Sequence, residues 1–458
     1  MAIATINPTT GLTEAQFEEH SPAEVERRLA LAAAAAVTNR ATSFSQRAEW
    51  MRAVADLLEA EVDETARLLT VEMGKPLAQS RGEVLKCAKG ARFYADHAEQ
   101  FLAGERLADP SAVGASAAWT RFDPIGVVLS VMPWNYPLWQ VMRFAAPALM
   151  AGNVGLLKHA SNVPQSALYF GELFTRAGFP EGSFQTLLIG SGAVEAVLRD
   201  PRVRGVALTG SEPAGRSVAA IAGSEIKRVV LELGGSDPFI VMPSADLERA
   251  ASVAATARLV NNGQSCIAAK RFIVHTDVYD RFAELFTAAL DAAVLGDPLD
   301  DTTTLGPLAT AAGRDELAEL VTDAVAKGAT VRTGGTVPDR TGFFYPATLL
   351  EGVDETMRLF QEEAFGPVAT LYRANDAADA LRLANVTDFG LSSALWTTDP
   401  ADEEFFVSRI DAGAVFINGM TISYPELPFG GTKNSGIGRE LGAPGIWEFC
   451  NLKTVWKG

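Results

Sequence analysis

Val127-Val128-Leu129-Ser130-Val131 is a short apolar run that lies between Pro124 and Pro133. Such a run is typical of a strand that is buried on both faces of a parallel sheet. Comparable runs follow at Gly155-Leu156-Leu157, Gln185-Thr186-Leu187-Leu188-Ile189 and Gly205-Val206-Ala207-Leu208. Helical stretches separate these runs. The alternation predicts βαβ units and a parallel sheet, which places the chain in the α/β class.

The sequence on either side of this block predicts other elements. Residues 22–104 predict helices, because Ser21-Pro22 is a helix start signal and apolar positions then recur at helical spacing. Residues 113–121 predict an exposed strand. A second α/β block begins near Glu232, with strands predicted at 239–241, 271–274, 344–347, 368–371 and 414–417, helices at 246–261 and 278–293, and a last strand at 451–456. No flexible linker is visible, so we expect closely packed domains with a cleft between them.

Composition and charge exclude several classes of protein. The chain has 458 residues, 48% of them hydrophobic, which is long for a single domain. A net charge of -17 argues against a nucleic-acid or anionic-membrane partner. The first residues show neither the basic segment nor the apolar segment of a signal peptide. The 3 cysteines and 4 histidines are scattered along the chain. We therefore expect a cytoplasmic protein without disulfides and without a metal site.

Cys266 and Glu232 are the residues with the clearest chemistry. Cys266 ends the polar stretch Asn261-Asn262-Gly263-Gln264-Ser265-Cys266, and Glu232 follows the strand-like run Val229-Val230-Leu231. A thiol can attack a carbonyl, and a carboxylate with a pKa raised by burial can activate water. Small polar neighbours suit a reachable thiol, and nearby backbone N–H groups favour the thiolate. The structural alternatives are a small buried hydrophobe for Cys266 and a strand-end carboxylate for Glu232.

Asn135 directly follows the first predicted strand, in Pro133-Trp134-Asn135-Tyr136-Pro137-Leu138. Ligands of open α/β sheets bind at the carboxyl ends of the strands. A side-chain amide at this place can donate a hydrogen bond to an oxyanion. The alternative is a helix-capping asparagine in a turn between prolines, and both roles are compatible.

Cofactor signals are present but individually weak. Gly190-Ser191-Gly192-Ala193-Val194-Glu195 resembles a dinucleotide fingerprint, but Glu195 replaces its third glycine, so we interpret this stretch as an ordinary turn. Leu208-Thr209-Gly210-Ser211 leads from a strand into a helix and predicts an anion site at the helix N-terminus. Lys158 lies at another strand end and is a candidate for ribose or phosphate.

Arg143 is a candidate for the substrate. If Pro137 opens a helix, Trp139 and Arg143 share one helical face that can point toward the same cleft as Asn135. An arginine at that place can bind a substrate carboxylate. The alternative is a salt bridge on the helix surface.

The order of these segments resembles the aldehyde dehydrogenase superfamily over nearly the whole chain. The matching motifs are residues 133–138, 208–211, 232–235 and 263–266, Glu362-Glu363-Ala364-Phe365-Gly366-Pro367, Asn418-Gly419, and Pro428-Phe429-Gly430-Gly431-Thr432-Lys433-Asn434-Ser435-Gly436. Within that superfamily the chain is most similar to the NADP-preferring succinate-semialdehyde dehydrogenases of bacteria.

The resemblance implies three structural parts and a set of site residues. The parts are a Rossmann-like cofactor domain at 1–111 and 125–231, an α/β catalytic domain at 232–425, and oligomerisation strands at 112–124 and 440–458 in a small bridging sheet. The implied site comprises Cys266 as nucleophile, Glu232 as general base and Asn135 as oxyanion donor, with Trp134, Asn135, Lys158, Ser161, Gly210, Ser211, Leu233, Glu363 and Phe365 at the cofactor and Arg143, Trp139, Thr421 and Ser423 at the substrate. A homodimer or homotetramer is also implied.

Departures from the family pattern sharpen the prediction. Ser161 stands where many relatives carry a glutamate that binds the adenosine ribose of NAD and would repel a 2′-phosphate, so we expect NADP, with NAD accepted less well. Asn451 replaces a glutamate proposed to relay protons in some relatives. Ala268 replaces a cysteine that forms a redox switch in some semialdehyde dehydrogenases.

The expected reaction is oxidation of succinate semialdehyde to succinate. Alternatives are another aldehyde, such as glutarate semialdehyde or a neutral short-chain aldehyde, and a CoA-acylating dehydrogenase, against which Glu232 argues. A non-catalytic binding or structural protein on an enzyme scaffold is a further alternative.

Overall fold

Two mostly parallel sheets organise the chain, as the alternation of apolar runs predicts. The structure is a computed structural model that describes residues 2–458. One sheet has six strands and the other has seven, and three two-stranded ladders accompany them. Among residues 2–458, no helix combines the length and the apolar character needed to cross a membrane.

The N-terminal part is mainly helical. Its elements are β1 (Ile3–Ile6), β2 (Thr13–Phe17), α1 (Pro22–Ala41), α2 (Phe44–Ala60), α3 (Val62–Met73), α4 (Leu77–Phe101) and β3 (Ala117–Pro124). Ser21 caps α1 by accepting a hydrogen bond from the Glu24 backbone N–H, as the start signal predicts. The antiparallel β1–β2 hairpin was not predicted.

The six-stranded sheet contains the opening apolar run. The block comprises β4 (Val127–Met132), α5 (Trp139–Met150), β5 (Val154–His159), α6 (Pro164–Arg176), β6 (Phe184–Thr186), α7 (Val194–Arg199), β7 (Val203–Thr209), α8 (Glu212–Ser224) and β8 (Arg228–Glu232). Every residue of α5 is buried, because the helix packs between this sheet and the N-terminal helices. The stretch at Ser191–Ala193 is a short 3-10 helix, in agreement with its interpretation as an ordinary turn.

The seven-stranded sheet forms the second block. Its region comprises β9 (Pro238–Val241), α9 (Leu247–Leu259), β10 (Arg271–His275), α10 (Tyr279–Asp291), α11 (Ala311–Ala326), β11 (Thr330–Thr333), β12 (Thr348–Glu351), α12 (Arg358–Gln361), β13 (Val368–Ala374), α13 (Ala377–Asn385), β14 (Phe389–Gly390), β15 (Ser393–Trp396), α14 (Pro400–Val407) and β16 (Val415–Ile417). The strand order is β11-β12-β13-β10-β9-β15-β16, with only β11 antiparallel.

The C-terminal segment returns to the first block. It comprises β17 (Thr432–Lys433), β18 (Gly436–Ile437), α15 (Gly442–Trp447) and β19 (Cys450–Lys457). β18 pairs antiparallel with β8 and completes the six-stranded order β18-β8-β7-β4-β5-β6. Gly436 lies opposite Glu232 with φ of 145°, and a Cβ there would lie 2.0 Å from the Leu231 carbonyl oxygen. Only glycine fits this closure.

A separate antiparallel ladder joins β3 to β19. This ladder matches the small bridging sheet that the resemblance implies. The segment 440–458 is not strand throughout, because α15 precedes β19 and packs against α4 and α5. Residues 110–113 are a 3-10 turn, and β3 begins only at Ala117.

Two predicted strands were misplaced. The strand predicted at 344–347 is wrong, because Phe344 and Tyr345 are buried in irregular backbone and Pro346 has no N–H to donate. The strand lies just beyond, in β12. The run 185–189 forms strand only to Thr186, after which the His20 backbone N–H donates to the Leu188 carbonyl at 2.7 Å.

Candidate active site

The carboxyl ends of four neighbouring strands bring the predicted cofactor and catalytic residues to one sheet edge. β8, β7, β4 and β5 lie side by side, with Thr209 opposite Glu232 and Val131 opposite both Leu208 and Lys158. The segments that follow these strands therefore share an edge of the sheet. Glu232 ends β8, and Gly210, Asn135 and Ser161 follow β7, β4 and β5, at the edge where ligands of α/β sheets bind.

The loop that carries Cys266 is anchored by two asparagines. Asn261 and Asn262 both have φ of 57°, a left-handed conformation that asparagine tolerates, and they end the helical run that begins in α9. Asn261 donates through Nδ2 to the Asn135 carbonyl at 2.8 Å, and Asn262 to the Gly74 carbonyl at 2.9 Å. The loop is thereby tied to the end of β4.

Lys270 holds the same loop through hydrogen bonds to its carbonyls. Its buried Nζ donates to the carbonyls of Ser265 at 3.1 Å, Cys266 at 2.9 Å and Ala268 at 3.1 Å, and it lies 3.1 Å from Oε1 of Glu363. This residue was not predicted from the sequence. The available signal was a lysine directly before the apolar strand at 271–274, because a charge buried in such a place needs several partners.

Cys266 lies in the wall of two cavities of about 270 Å³ each. The first, here called the α4 cavity, is bounded by α4, α5, the Cys266 loop and residues 420–423. The second, here called the sheet-edge cavity, is bounded by the segments after β4, β7 and β8 and by residues 363–365. Two molecules placed in these cavities would both lie against Cys266.

Cys266 is only 9% exposed, and burial raises the pKa of its thiol to about 12. The charges of Arg143 and Lys270 act in the opposite direction. The expectation that the surroundings favour the thiolate is therefore wrong for the protein alone, because desolvation outweighs both cations. The backbone N–H of Cys266 makes no hydrogen bond to any of residues 2–458.

Glu232 is buried at the end of β8, and neither of its carboxylate oxygens has a hydrogen-bond partner among residues 2–458. Burial raises the pKa of this carboxyl, and the charge of Glu440 raises it further, as expected for a general base. Glu232 lines neither cavity, although Leu233 and Gly234 line the sheet-edge cavity. Its charge is close enough to act on the thiol of Cys266.

Asn135 lines the sheet-edge cavity next to Cys266. Its Nδ2 donates one hydrogen bond to the Gln264 carbonyl at 3.1 Å, and Oδ1 has no partner in the part of the chain that the structure describes. Because a side-chain amide carries two N–H donors, one hydrogen remains for a ligand.

The sheet-edge cavity suits a nicotinamide nucleotide. Trp134 and Phe365 meet edge to face, with ring centroids 5.7 Å apart. A Cβ on Gly234 would lie 2.5 Å from Oε2 of Glu363, so glycine at this position leaves space in the cavity. The predicted cofactor residues found in the wall are Trp134, Asn135, Gly210, Ser211, Leu233, Glu363 and Phe365.

Lys158 near the end of β5 and Ser161 just after it lie along the same sheet edge but line neither cavity. Burial lowers the pKa of Lys158, and the charge of Glu19 opposes this shift. Glu19 was not singled out from the sequence, since it lies far from these residues along the chain. Among residues 2–458, no group of three or more His, Cys, Asp or Glu side chains is placed to hold a metal ion.

The four predicted substrate residues, Trp139, Arg143, Thr421 and Ser423, all line the α4 cavity. Arg143 is 2% exposed, so a salt bridge on the helix surface is wrong. Its guanidinium instead forms an ion pair with the buried Glu440 and lies over the Phe429 ring at 4.5 Å. The positive charge of Arg143 is therefore already compensated, which weakens its predicted role as a carboxylate clamp.

α4 supplies cavity residues that were not predicted from the sequence. Gln79, Glu83 and Lys86 line the α4 cavity. Their spacing places them on one face of a helix, a signal that was available but was not connected to the site. Glu83 pairs with Lys75, and its carboxylate accepts hydrogen bonds of 2.8 Å each from the backbone N–H groups of Leu138 and Trp139. It thereby caps the first turn of α5.

Comparison with known proteins agrees with this geometry. The model of the aldehyde dehydrogenase family matches residues 1–455. Succinate-semialdehyde dehydrogenase [NADP(+)] of Mycobacterium avium (strain 104) is 61% identical over 459 residues, covering 100% of this chain and 97% of the relative. Succinate-semialdehyde dehydrogenase [NADP(+)] 1 of Mycobacterium tuberculosis (strain ATCC 25618 / H37Rv) is 61% identical over 456 residues, covering 100% of both chains.

A solved structure is similar throughout. Succinic semialdehyde dehydrogenase from Streptococcus pyogenes, in complex with NADP+ as the cofactor, superposes with a TM-score of 0.96 at 36% identity, covering 99% of each chain. The recognition of the superfamily from the sequence, and the fold expected from it, are confirmed. The chain belongs to the aldehyde dehydrogenase family.

Proposed function

We propose that the protein oxidises succinate semialdehyde to succinate with NADP+ as cofactor. The observation that carries the proposal is the position of Cys266 in the wall of both cavities, where an aldehyde and a nicotinamide can reach it from two sides. The names of the full-length relatives, at 61% identity, support the same substrate and cofactor.

Cys266 is the nucleophile of the proposed reaction. The thiol releases its proton to water, and the resulting thiolate attacks the aldehyde carbon to form a tetrahedral alkoxide, the ionised thiohemiacetal. The free N–H of Cys266 and the second N–H of Asn135 donate to the resulting oxyanion. A nicotinamide nucleotide held by the residues of the sheet-edge cavity would supply the hydride acceptor. Loss of hydride from the thiohemiacetal carbon leaves a thioester on Cys266.

Glu232 is the general base for hydrolysis of the thioester. Its raised pKa suits a group that takes a proton from water near neutral pH. No hydrogen bond within residues 2–458 holds its oxygens, and the proposed role requires the side chain to turn toward Cys266. Water then attacks the thioester carbon, the carboxylic acid leaves and the thiol is restored.

The two ends of the substrate occupy different parts of the α4 cavity. The aldehyde lies at Cys266, and the carboxylate lies among Trp139, Arg143, Thr421 and Ser423. The Trp139 indole Nε1 donates to Ser423 Oγ at 2.9 Å, and Thr421 Oγ1 shares a hydrogen bond of 2.8 Å with Ser392. This polar end suits a short aldehyde with a terminal carboxylate.

NADP preference follows from the residues after β5. Ser161 carries no charge that would repel a 2′-phosphate, and Lys158 supplies a cation nearby. The remaining cofactor residues line the sheet-edge cavity.

We further propose a homodimer or homotetramer in the cytoplasm. The β3–β19 ladder exposes Leu452 and Trp456, which are 56% and 55% exposed and would be covered by a second copy. The cytoplasmic setting rests on the free state of all three cysteines in the structure.

The test is a spectrophotometric NADPH assay with succinate semialdehyde, glutarate semialdehyde and butanal. The proposal expects the highest kcat/KM with succinate semialdehyde and NADP+. A higher kcat/KM with butanal would contradict the proposed substrate, and a preference for NAD+ would contradict the cofactor. Formation of acyl-CoA in the presence of CoA would indicate the acylating alternative, and no NADPH with any aldehyde would indicate a non-catalytic protein.

A further inference from the structure

The α4 cavity contains three charged side chains, and two of them already have a partner of opposite charge. Glu83 pairs with Lys75, and Arg143 pairs with Glu440. Lys86 makes no salt bridge with any of residues 2–458. It is therefore the one uncompensated charge that this wall presents.

Lys86 is held toward the cavity by two contacts. Its Nζ donates to Ser423 Oγ at 2.8 Å and lies 4.4 Å from the centre of the Trp139 ring. An ammonium over an indole face is favourable, and it retains donors for a further acceptor. The side chain is half-buried, so part of its hydration is already lost.

Ser423 completes the arrangement. Its oxygen accepts from both Lys86 Nζ and Trp139 Nε1. A hydroxyl has two acceptor sites and one donor, so the Ser423 hydrogen must point elsewhere. No acceptor for it occurs among residues 2–458. The hydroxyl and the ammonium thus offer adjacent donors to one anionic group.

We propose that Lys86, acting together with the Ser423 hydroxyl, recognises the terminal carboxylate of the aldehyde substrate. This inference rests on the proposed function and assigns the discriminating charge to Lys86 rather than to Arg143. A carboxylate there would accept from both groups and neutralise the unpaired cation. Neutral aldehydes gain nothing from this contact, so Lys86 determines specificity for semialdehydes.

The test compares kcat/KM for succinate semialdehyde and butanal in wild type and in Lys86→Met. Methionine keeps an apolar chain of similar length against Trp139 but removes the charge. We expect kcat/KM for succinate semialdehyde to fall about 10- to 100-fold, mainly through a higher KM, and kcat/KM for butanal to stay unchanged. Lys86→Arg should restore most of the preference.

Lys89→Met is the matched control. Lys89 lies on the same helix and pairs with Glu426 at 2.8 Å outside the cavity. The Lys89→Met variant should leave kcat/KM unchanged for both aldehydes. An effect of Lys89→Met equal to that of Lys86→Met would assign the loss to loosening of the neighbouring 420–427 segment and would overturn the inference.

The outcomes separate the inference from the proposed function. If wild type does not prefer succinate semialdehyde to butanal, the proposed substrate fails. If wild type has the preference and Lys86→Met keeps it, Lys86 is not the recognising group and the proposed function stands. Equal losses with both aldehydes would make the role of Lys86 structural and would also overturn the inference.

A measurement on wild type keeps the inference testable if Lys86→Met does not fold. Burial, with a smaller effect of the Arg143 charge, lowers the pKa of Lys86 to about 8. The preference for succinate semialdehyde over butanal should therefore fall as the pH rises through about 8, and a constant preference would overturn the inference. The other titratable or charged groups that face Lys86 are Glu83, Cys87, Tyr136, Arg143 and Cys266. Burial raises the pKa values of Cys87, Tyr136 and Cys266, so these three groups stay neutral as the pH passes 8.

Discussion

Glu440 forms a buried ion pair with Arg143, and the same Glu440 charge raises the pKa of the nearby Glu232. A charge that is far away along the chain thus tunes the proposed general base. Glu440→Gln removes this negative charge, which favours the ionised form of Glu232 and lowers its pKa. The acidic limb of the pH profile for thioester hydrolysis should move to lower pH, as measured by single-turnover kinetics.

The same variant should lose stability. Arg143 would remain buried without a charge partner, which costs about 3–5 kcal/mol of unfolding free energy in comparable cases. Glu426→Gln is the control, since Glu426 pairs with Lys89 at the surface and such a pair contributes only about 0–1 kcal/mol. Similar urea midpoints for the two variants would contradict the structural role of the Arg143–Glu440 pair.

Glu232→Gln should stop the reaction after acylation. Glutamine preserves the shape of the side chain but cannot accept the proton of water. Intact-mass measurement after mixing with NADP+ and succinate semialdehyde should detect an acyl adduct on Cys266. The double variant with Cys266→Ala should show no adduct, and normal steady-state turnover of Glu232→Gln would remove this residue from the scheme.

Ser161→Glu should shift the cofactor preference toward NAD+. A carboxylate at the end of β5 would repel the 2′-phosphate of NADP+, and we expect kcat/KM for NADP+ to fall about tenfold or more, with little change for NAD+. Ser161→Gln supplies the size without the charge. If it lowers kcat/KM for NADP+ as much as Ser161→Glu does, the effect is steric and the electrostatic explanation fails.

The thiol of Cys266 should react slowly in the protein without cofactor. Since burial raises its pKa to about 12, the alkylation rate with iodoacetamide should rise about tenfold per pH unit between about pH 7 and pH 9. Cys266→Ala provides the baseline, because Cys87 and Cys450 are buried and line neither cavity. A fast and pH-independent reaction near neutrality would show that the thiolate is already present.

Gly90→Ala should disturb the substrate site from inside α4. A Cβ at Gly90 would lie 3.1 Å from the Trp139 ring, so the indole must shift, and kcat/KM for succinate semialdehyde should fall. Gly223→Ala in α8 is the control, because no atom lies within 4 Å of its added Cβ. Alanine favours helix by about 1 kcal/mol at either position, so a loss of activity without a loss of stability is expected only for Gly90→Ala.

The sequence was most informative where chemistry is local. Glu232 and Asn135 each end or follow an apolar run, and the carboxyl ends of parallel strands necessarily share an edge, so their shared location was predictable. The pKa of Glu232 also shifts in the predicted direction. The thiol of Cys266 does not, because its neighbours in sequence do not reveal how completely the N-terminal helices bury it.

Partners distant in the chain were not predictable in the same way. The ion pair of Arg143 depends on Glu440, and the orientation of Lys86 depends on Ser423. Neither contact leaves a periodic signal in a single sequence. The strand predicted at 344–347 was wrong for a reason that is visible in the sequence, because Pro346 interrupts the run. The prediction followed the apolar side chains and not the proline.

The pairing of Gly436 with Glu232 has a consequence for synthesis of the chain. A ribosome that has synthesised the chain only as far as Gly431 has made Cys266 and Glu232 without β18, the strand that pairs with Glu232. The nascent chain therefore acquires a working catalytic centre only at the close of translation, and prematurely terminated products should be inert toward aldehydes.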